Sequence, residues 1–135
     1  MRLAADANVL LSAVLGGRAK LLLEVPNLEV FTSEATFAEV QEYAAHLAGK
    51  KGLPRDLVLL AVATLPVTLV ESDAYAAAIP EASRRIGHRD PDDVEILAVA
   101  LHLQVPIWSN DRDFEDAGVE WYTTAQLLKR LRASR

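Results

Sequence analysis

The strongest constraint on the fold is an alternation of short apolar runs with helical hydrophobic patterns along the whole chain. The apolar runs predict strands at residues 2–5, 28–32, 67–70, 105–109 and 119–122. The segments between them carry apolar residues three and four positions apart, which is typical of helices. This alternation favours a parallel sheet with helices on both faces. The sequence therefore predicts an α/β protein with three layers, α/β/α, around a mostly parallel sheet of about five strands.

Residues that typically begin or end helices recur along the chain, but none of them marks a boundary between domains. Predicted helices cover residues 8–15, 18–24, 34–48, 54–65, 72–86, 94–103 and 125–131, and a basic tail follows the last one. Ser33 is a good N-cap, and Gly49–Gly52 is expected to be a flexible, basic break after that helix. Asp90 is predicted to cap the next-to-last helix, with Pro91 at its first position. No linker or repeat interrupts the 135 residues, so we expect one domain, 1–135.

Composition excludes several classes of function. The chain has no cysteine, which excludes disulfide scaffolds, thiolate zinc sites and cysteine nucleophiles. Its 14 basic and 19 acidic residues give a net charge of −5, which argues against bulk attraction to nucleic acid or anionic membranes. No stretch of about 18 apolar residues could span a membrane, and the N-terminus does not resemble a signal peptide. We expect a soluble, cytoplasmic protein with no membrane partner.

The acidic residues are concentrated at a few places in the predicted fold. Asp6 follows the first strand, and the windows 90–95 and 111–116 hold eight of the 19 acids. Ligand sites of open parallel sheets lie beyond the carboxyl ends of the strands. Carboxylates that converge there suit Mg²⁺ or Mn²⁺, which would offset their mutual repulsion and could activate a water. Metal-dependent phosphoryl chemistry is therefore the hypothesis from the residues, although Asp92 also suits a helix first turn and Asp113 an ordinary loop.

Three segments resemble PIN-domain ribonucleases, in particular the small prokaryotic members that include VapC-type toxins. They are residues 6–13 (DANVLLSA), 89–103 (RDPDDVEILAVALHL) and 109–114 (SNDRDF). Their order and spacing match over essentially the whole chain. The resemblance implies a PIN-like fold and a Mg²⁺- or Mn²⁺-dependent endoribonuclease. Such an enzyme hydrolyses RNA phosphodiester bonds by in-line attack of water and leaves a 5′-phosphate and a 3′-hydroxyl.

The resemblance also implies which residues form the site. The residues similar to the family's catalytic, metal-binding carboxylates are Asp6, Glu39, Asp93 and Asp111. Asn8 and Ser109 are similar to residues that hold those carboxylates by hydrogen bonds, and Asp113 would assist through a water or a second metal. Helical periodicity alone would make Glu39 a solvated residue with Glu34 and Glu42 as equal rivals. Asp92 competes with Asp93, and Glu95 would either add a ligand or face solvent.

Substrate contacts and partners follow from the same resemblance. Arg112 and Arg89 are the candidates for binding RNA phosphates, although Arg112 could instead form an internal ion pair. Trp108 and Trp121 are predicted to pack in or near the sheet. VapC-like proteins dimerise and are inhibited by an antitoxin that reaches into the acidic groove, so we expect a homodimer with a cognate antitoxin. The alternative is a catalytically inactive PIN-like module that binds RNA or protein, which the presence of all four carboxylates disfavours.

Overall fold

A computed structural model describes residues 1–133, and its five strands form one parallel sheet. The strands are β1 (Arg2–Ala5), β2 (Glu29–Ser33), β3 (Thr68–Val70), β4 (Ile107–Trp108) and β5 (Trp121–Tyr122). Their order is β3-β2-β1-β4-β5, and every neighbouring pair is parallel. The predicted α/β class and the five-stranded sheet are therefore confirmed. The last two residues of the predicted basic tail, Ser134 and Arg135, lie outside the described residues.

Helices cover both faces of the sheet and complete the three predicted layers. They are α1 (Ala7–Val14), α2 (Ala19–Leu23), α3 (Glu34–Lys51), α4 (Arg55–Ala63), α5 (Ser72–Tyr75), α6 (Ile79–Ile86), α7 (Val94–Leu103) and α8 (Thr124–Ala133). Alternate residues of β1 point to opposite faces. Leu3 and Ala5 belong to a core with α1 to α4 and α8, whereas Ala4 belongs to a second core with α5 to α7.

The strand order determines where a ligand site is expected. The chain builds β1, β2 and β3 outward in one direction, and β4 then lies on the other side of β1. Ala5 is paired with Trp108, so the two strands end together at the carboxyl edge of the sheet. The crevice beyond such a change of direction is where open α/β sheets bind ligands. Asp6 and Ser109 are the first residues beyond these two strands.

Two predicted helix boundaries were wrong. The segment Gly49–Lys51 is helical rather than a break, and α3 ends only at Gly52, whose φ of 64° lies in the left-handed region. The segment 72–86 is divided into α5, a 3₁₀ turn at Ala76–Ala78, and α6. Pro80 explains this second interruption, because proline has no N–H group to donate to the carbonyl four residues earlier, at Ala76. Proline is tolerated in a first helical turn, which is where α6 places it.

A pair of glycine substitutions tests this end of α3. A Cβ at Gly49 meets no atom within 4 Å, so Gly49→Ala should stabilise the protein by about 0.5–1 kcal/mol. Gly52→Ala also has open space, but its positive φ should make it destabilising by about 1 kcal/mol. Urea unfolding of both variants measures the two differences. Equal effects at the two positions would contradict the helix boundary at Gly52.

No helix within residues 1–133 is long and apolar enough to cross a membrane.

Candidate metal centre

An acidic cleft of about 240 Å³ opens where β1 and β4 end. Its walls come from Asp6 and helix α1, from α3, and from the turns that precede α7 and follow β4. The acidic residues that line it are Asp6, Glu39, Asp90, Asp92, Asp93 and Asp111. The structure therefore brings together all four carboxylates that were candidates for holding a metal.

Asp6 is held in one orientation by three hydrogen-bond donors. It is the N-cap of α1, and its Oδ1 accepts a 2.7 Å hydrogen bond from the Ala7 N–H. Its Oδ2 accepts hydrogen bonds from Asn8 Nδ2 and Ser109 Oγ, both at 2.9 Å. The side chain is only 7% exposed, and burial raises its pKa although the bonds from Ser109 and Ala7 act in the opposite direction. A carboxylate has about four lone-pair positions, so Asp6 can still accept a further partner.

The Ser109 hydroxyl connects Asp6 to Asp111. It donates to Asp6 Oδ2 and accepts hydrogen bonds from the Asp111 N–H at 3.0 Å and from Asn8 Nδ2 at 3.1 Å. One donor and two acceptor positions are all that a hydroxyl offers, so Ser109 is fully used. Both Asn8 and Ser109 thus contact the carboxylate that they were predicted to hold. Neutral groups in these positions fix a carboxylate without neutralising it.

Asp93 is a buried carboxylate with an oxygen that no hydrogen-bond donor contacts within residues 1–133. Its side chain is 5% exposed, and its Oδ2 has no hydrogen-bond partner among residues 1–133. Burial, followed by the charges of Asp6, Asp90, Asp111 and Asp113, raises the pKa of Asp93 to about 8. A buried oxygen without a donor is rare in a folded protein and needs an explanation.

Asp93 and three other aspartates lie close enough together to share one ion. One carboxylate oxygen from each of Asp90, Asp93, Asp111 and Asp113 lies within 4.8 Å of the other three. Four like charges at these distances repel one another strongly in a partly buried site. A hard divalent cation fits this donor set, because Mg²⁺ and Mn²⁺ prefer carboxylate oxygen and would supply the charge that Asp93 lacks.

Glu39 reaches the same cleft from helix α3. It is half-buried and lines the cleft beside Val40, whose side chain belongs to the core. Burial and the charges of Asp92 and Asp6 raise the pKa of Glu39. Its rival Glu34 is exposed in the first turn of α3. Glu42, the other rival, lies in a neighbouring cavity of about 400 Å³ that Glu39 also lines.

Residues 90–95 take different positions relative to the cleft. Asp92 is exposed and lies outside the group of four aspartates, whereas Asp93 is buried within it. Glu95 is half-buried and lines the neighbouring cavity with Glu42 and Asp92. Asp90 is an N-cap, but of the 3₁₀ turn Pro91–Asp93 that precedes α7 rather than of α7 itself, and its carboxylate also belongs to the group. Asp90 was not among the predicted metal-binding residues. The only sign of this role in the sequence is that Asp90 lies three residues before Asp93.

The two arginines predicted to bind RNA phosphates do not line the cleft. Arg112 is 84% exposed and lies 3.6 Å from Glu115 Oε2. Arg89 donates a 3.1 Å hydrogen bond to Asp116 Oδ2. Trp108 is completely buried in the sheet, and the Trp121 indole N–H donates to the Ser109 carbonyl at 2.8 Å. The tryptophans therefore pack as predicted, and the role of the arginines stays a prediction.

Comparison with known proteins agrees with this architecture. The Rickettsia felis VapBC2 complex bound to promoter DNA contains a similar chain, with a TM-score of 0.70, 14% identity, and 91% of this chain and 98% of that one covered. A toxin–antitoxin complex from Klebsiella pneumoniae contains a similar chain with a TM-score of 0.63 and 23% identity. The match covers 90% of the present chain and 97% of that one. Mycobacterium tuberculosis VapC20, described as a toxin that cleaves the sarcin–ricin loop, is similar with a TM-score of 0.61 and 19% identity. The match covers 88% of the present chain and 96% of that one.

Sequence comparison identifies the family. No curated protein sequence matches the chain. The pattern of the PIN domain family matches residues 5–132, which leaves out only the first four and the last three residues. The chain therefore belongs to the PIN domain family.

Proposed function

We propose that this protein is a Mg²⁺- or Mn²⁺-dependent endoribonuclease that hydrolyses phosphodiester bonds of RNA. The observation that carries the proposal is the buried, unpartnered Oδ2 of Asp93 within the group of four aspartates. A structural cluster would be expected to pair such an oxygen with a hydrogen-bond donor, whereas a cation site leaves it free for its ligand. Membership of the PIN domain family supports the nuclease reaction.

The proposed division of roles follows the contacts in the cleft. Asp6, Glu39, Asp93 and Asp111 hold the cation directly or through water, and Asp113 assists them. Asn8 and Ser109 orient Asp6, and Ser109 also positions the backbone of Asp111. A cation bound by these residues would supply Lewis-acid chemistry, which activates water for attack on phosphorus and stabilises the leaving oxygen. Without it the cleft would repel the phosphates of RNA, because six acidic residues line it.

RNA contacts outside the cleft are assigned to Arg89 and Arg112. Both side chains are exposed, and their ion pairs with Asp116 and Glu115 involve exposed partners. Exposed ion pairs contribute little stability, so a phosphate can replace the carboxylate at small cost. We therefore propose that these two arginines bind phosphates of the RNA backbone.

The biological setting of the proposed nuclease is a toxin–antitoxin pair. Two of the similar structures are complexes of a toxin with its antitoxin, and VapC20 is itself a toxin. We extend this to the present chain as a homodimeric, cytoplasmic toxin formed by a single domain over residues 1–135. The acidic cleft suits an antitoxin that presents a basic side chain to it.

Metal removal tests the proposed reaction. Purified protein should cleave a structured RNA in Mg²⁺ or Mn²⁺, lose the activity in EDTA, and regain it when either ion is restored. Labelling of the product ends should show 5′-phosphates. Cleavage that persists in EDTA would refute the metal-dependent mechanism. RNA binding without cleavage in any of these metals would instead support the inactive binding module.

A further inference from the structure

We infer that Asp90 is a ligand of the cation in addition to being the N-cap of the turn Pro91–Asp93. This inference rests on the proposed function and adds a carboxylate to the four assigned above. One Asp90 oxygen lies within 4.8 Å of oxygens from Asp93, Asp111 and Asp113. The independent observation is that Asp93 Oδ2, which is buried in this group, has no partner within residues 1–133.

Capping leaves Asp90 with an available oxygen. Its Oδ1 accepts a 3.0 Å hydrogen bond from the Asp92 N–H. Each carboxylate oxygen has two lone pairs, so the second oxygen and one lone pair of Oδ1 remain available to a cation. The Asp90 backbone carbonyl also accepts from the Asp93 N–H at 3.1 Å, so one turn sets the separation of the two acids.

Asp90 and Asp111 occupy equivalent places in two facing turns. Asp111 Oδ1 accepts a 2.9 Å hydrogen bond from the Asp113 N–H, as Asp90 does from Asp92, and each begins a 3₁₀ turn. Arg89, which precedes the first turn, forms an ion pair at 3.1 Å with Asp116, which follows the second. Each turn thus presents its capping aspartate to the group. Asp111 is already assigned to the cation, and the same geometry assigns Asp90.

Replacement by asparagine separates the two roles of Asp90. Asparagine caps helices about as well as aspartate, so Asp90→Asn keeps the bond to Asp92 and removes the charge. Asp90→Ser also retains a capping oxygen and removes the carboxylate. The control is Asp56→Asn, which removes an exposed acid from the first turn of α4.

Mn²⁺ titration by calorimetry, with no RNA present, tests the inference. We expect Asp90→Asn and Asp90→Ser to weaken Mn²⁺ binding at least tenfold, while Asp56→Asn binds like the wild type and thermal unfolding shows all three variants folded. Wild-type affinity in both Asp90 variants would show that Asp90 is only a cap and overturn the inference. If the wild type itself binds no Mn²⁺, the result contradicts the proposed metal-dependent function rather than the assignment of Asp90.

Discussion

Asp111→Asn should slow RNA cleavage on the order of 10³-fold at saturating substrate. The substitution preserves the acceptor for the Asp113 N–H, which Asp111 Oδ1 now provides at 2.9 Å. It removes one negative charge from the group of four aspartates, and therefore cation affinity and several kcal/mol of transition-state stabilisation. Single-turnover cleavage of a structured RNA, measured across a range of Mn²⁺ concentrations, gives the size of the loss.

The control for this experiment is a carboxylate far from the cleft. Asp56→Asn changes the same functional group on α4 and should cleave at the wild-type rate. Asp6→Asn should resemble Asp111→Asn, because the Ser109 hydroxyl contacts Asp6 Oδ2 and the Asp111 N–H together. If Asp111→Asn retains more than a tenth of the wild-type rate, its carboxylate is not part of the metal-binding set.

Asp93 should make the metal-free protein less stable as the pH rises. Its pKa is raised from 3.8 to about 8 in the folded chain. Between these values the unfolded chain ionises Asp93 while the folded chain keeps the proton, so the folded state binds more protons and loses stability with increasing pH. Four pKa units correspond to on the order of 5 kcal/mol, with the full loss reached above pH 8. Asp6 and Glu39, whose pKa values are also raised, act in the same direction.

Thermal unfolding with and without Mn²⁺ measures this effect. In EDTA at pH 8, Asp93→Asn should unfold about 15–20 °C above the wild type, and at pH 4 the two should differ little. Saturating Mn²⁺ at pH 8 should raise the wild-type Tm and leave that of Asp93→Asn almost unchanged, since only the wild type gains a ligand for its buried carboxylate. A wild-type Tm in EDTA that rises from pH 5 to pH 8 relative to Asp93→Asn would contradict the prediction.

Much of the fold was predictable because its signals are local. Strand β1 had its predicted bounds, since Arg2–Ala5 is a short apolar run closed by Asp6. The last two strands were predicted too long, at 105–109 and 119–122, because the apolar residues Val105 and Val119 lie before the first residue of each strand. The hydrophobic pattern of a sequence indicates which residues are buried, but not which of them pair in a sheet. Val105 is an example, because it is buried and does not belong to β4.

The candidate site was predictable only in part, because its geometry is tertiary. Periodicity could not distinguish Glu39 from Glu34 and Glu42, whose environments depend on how α3 lies against the sheet. Burial of Val40, Ala44 and Ala48 sets the rotation of this helix and directs Glu39 towards the cleft.

The ligand role proposed for Asp90 likewise depends on tertiary contacts. Its role as the cap of the turn Pro91–Asp93 explains the local sequence, and its spacing of three residues from Asp93 is the only local sign of a second role. The carboxylates of Asp111 and Asp113 become its neighbours only because β4 lies beside β1.

The hydrogen bond between Ser109 and Asp6 has a consequence for synthesis of the protein. It joins residues 103 positions apart, and it connects the loop after the first strand with the loop after the fourth. A ribosome that has made only the first hundred residues holds a chain with Asp6, Glu39 and Asp93 but without Asp111. Contacts this distant in sequence form late, because the intervening chain must first be closed into a loop. The proposed metal site is therefore incomplete until the ribosome has made residue 111.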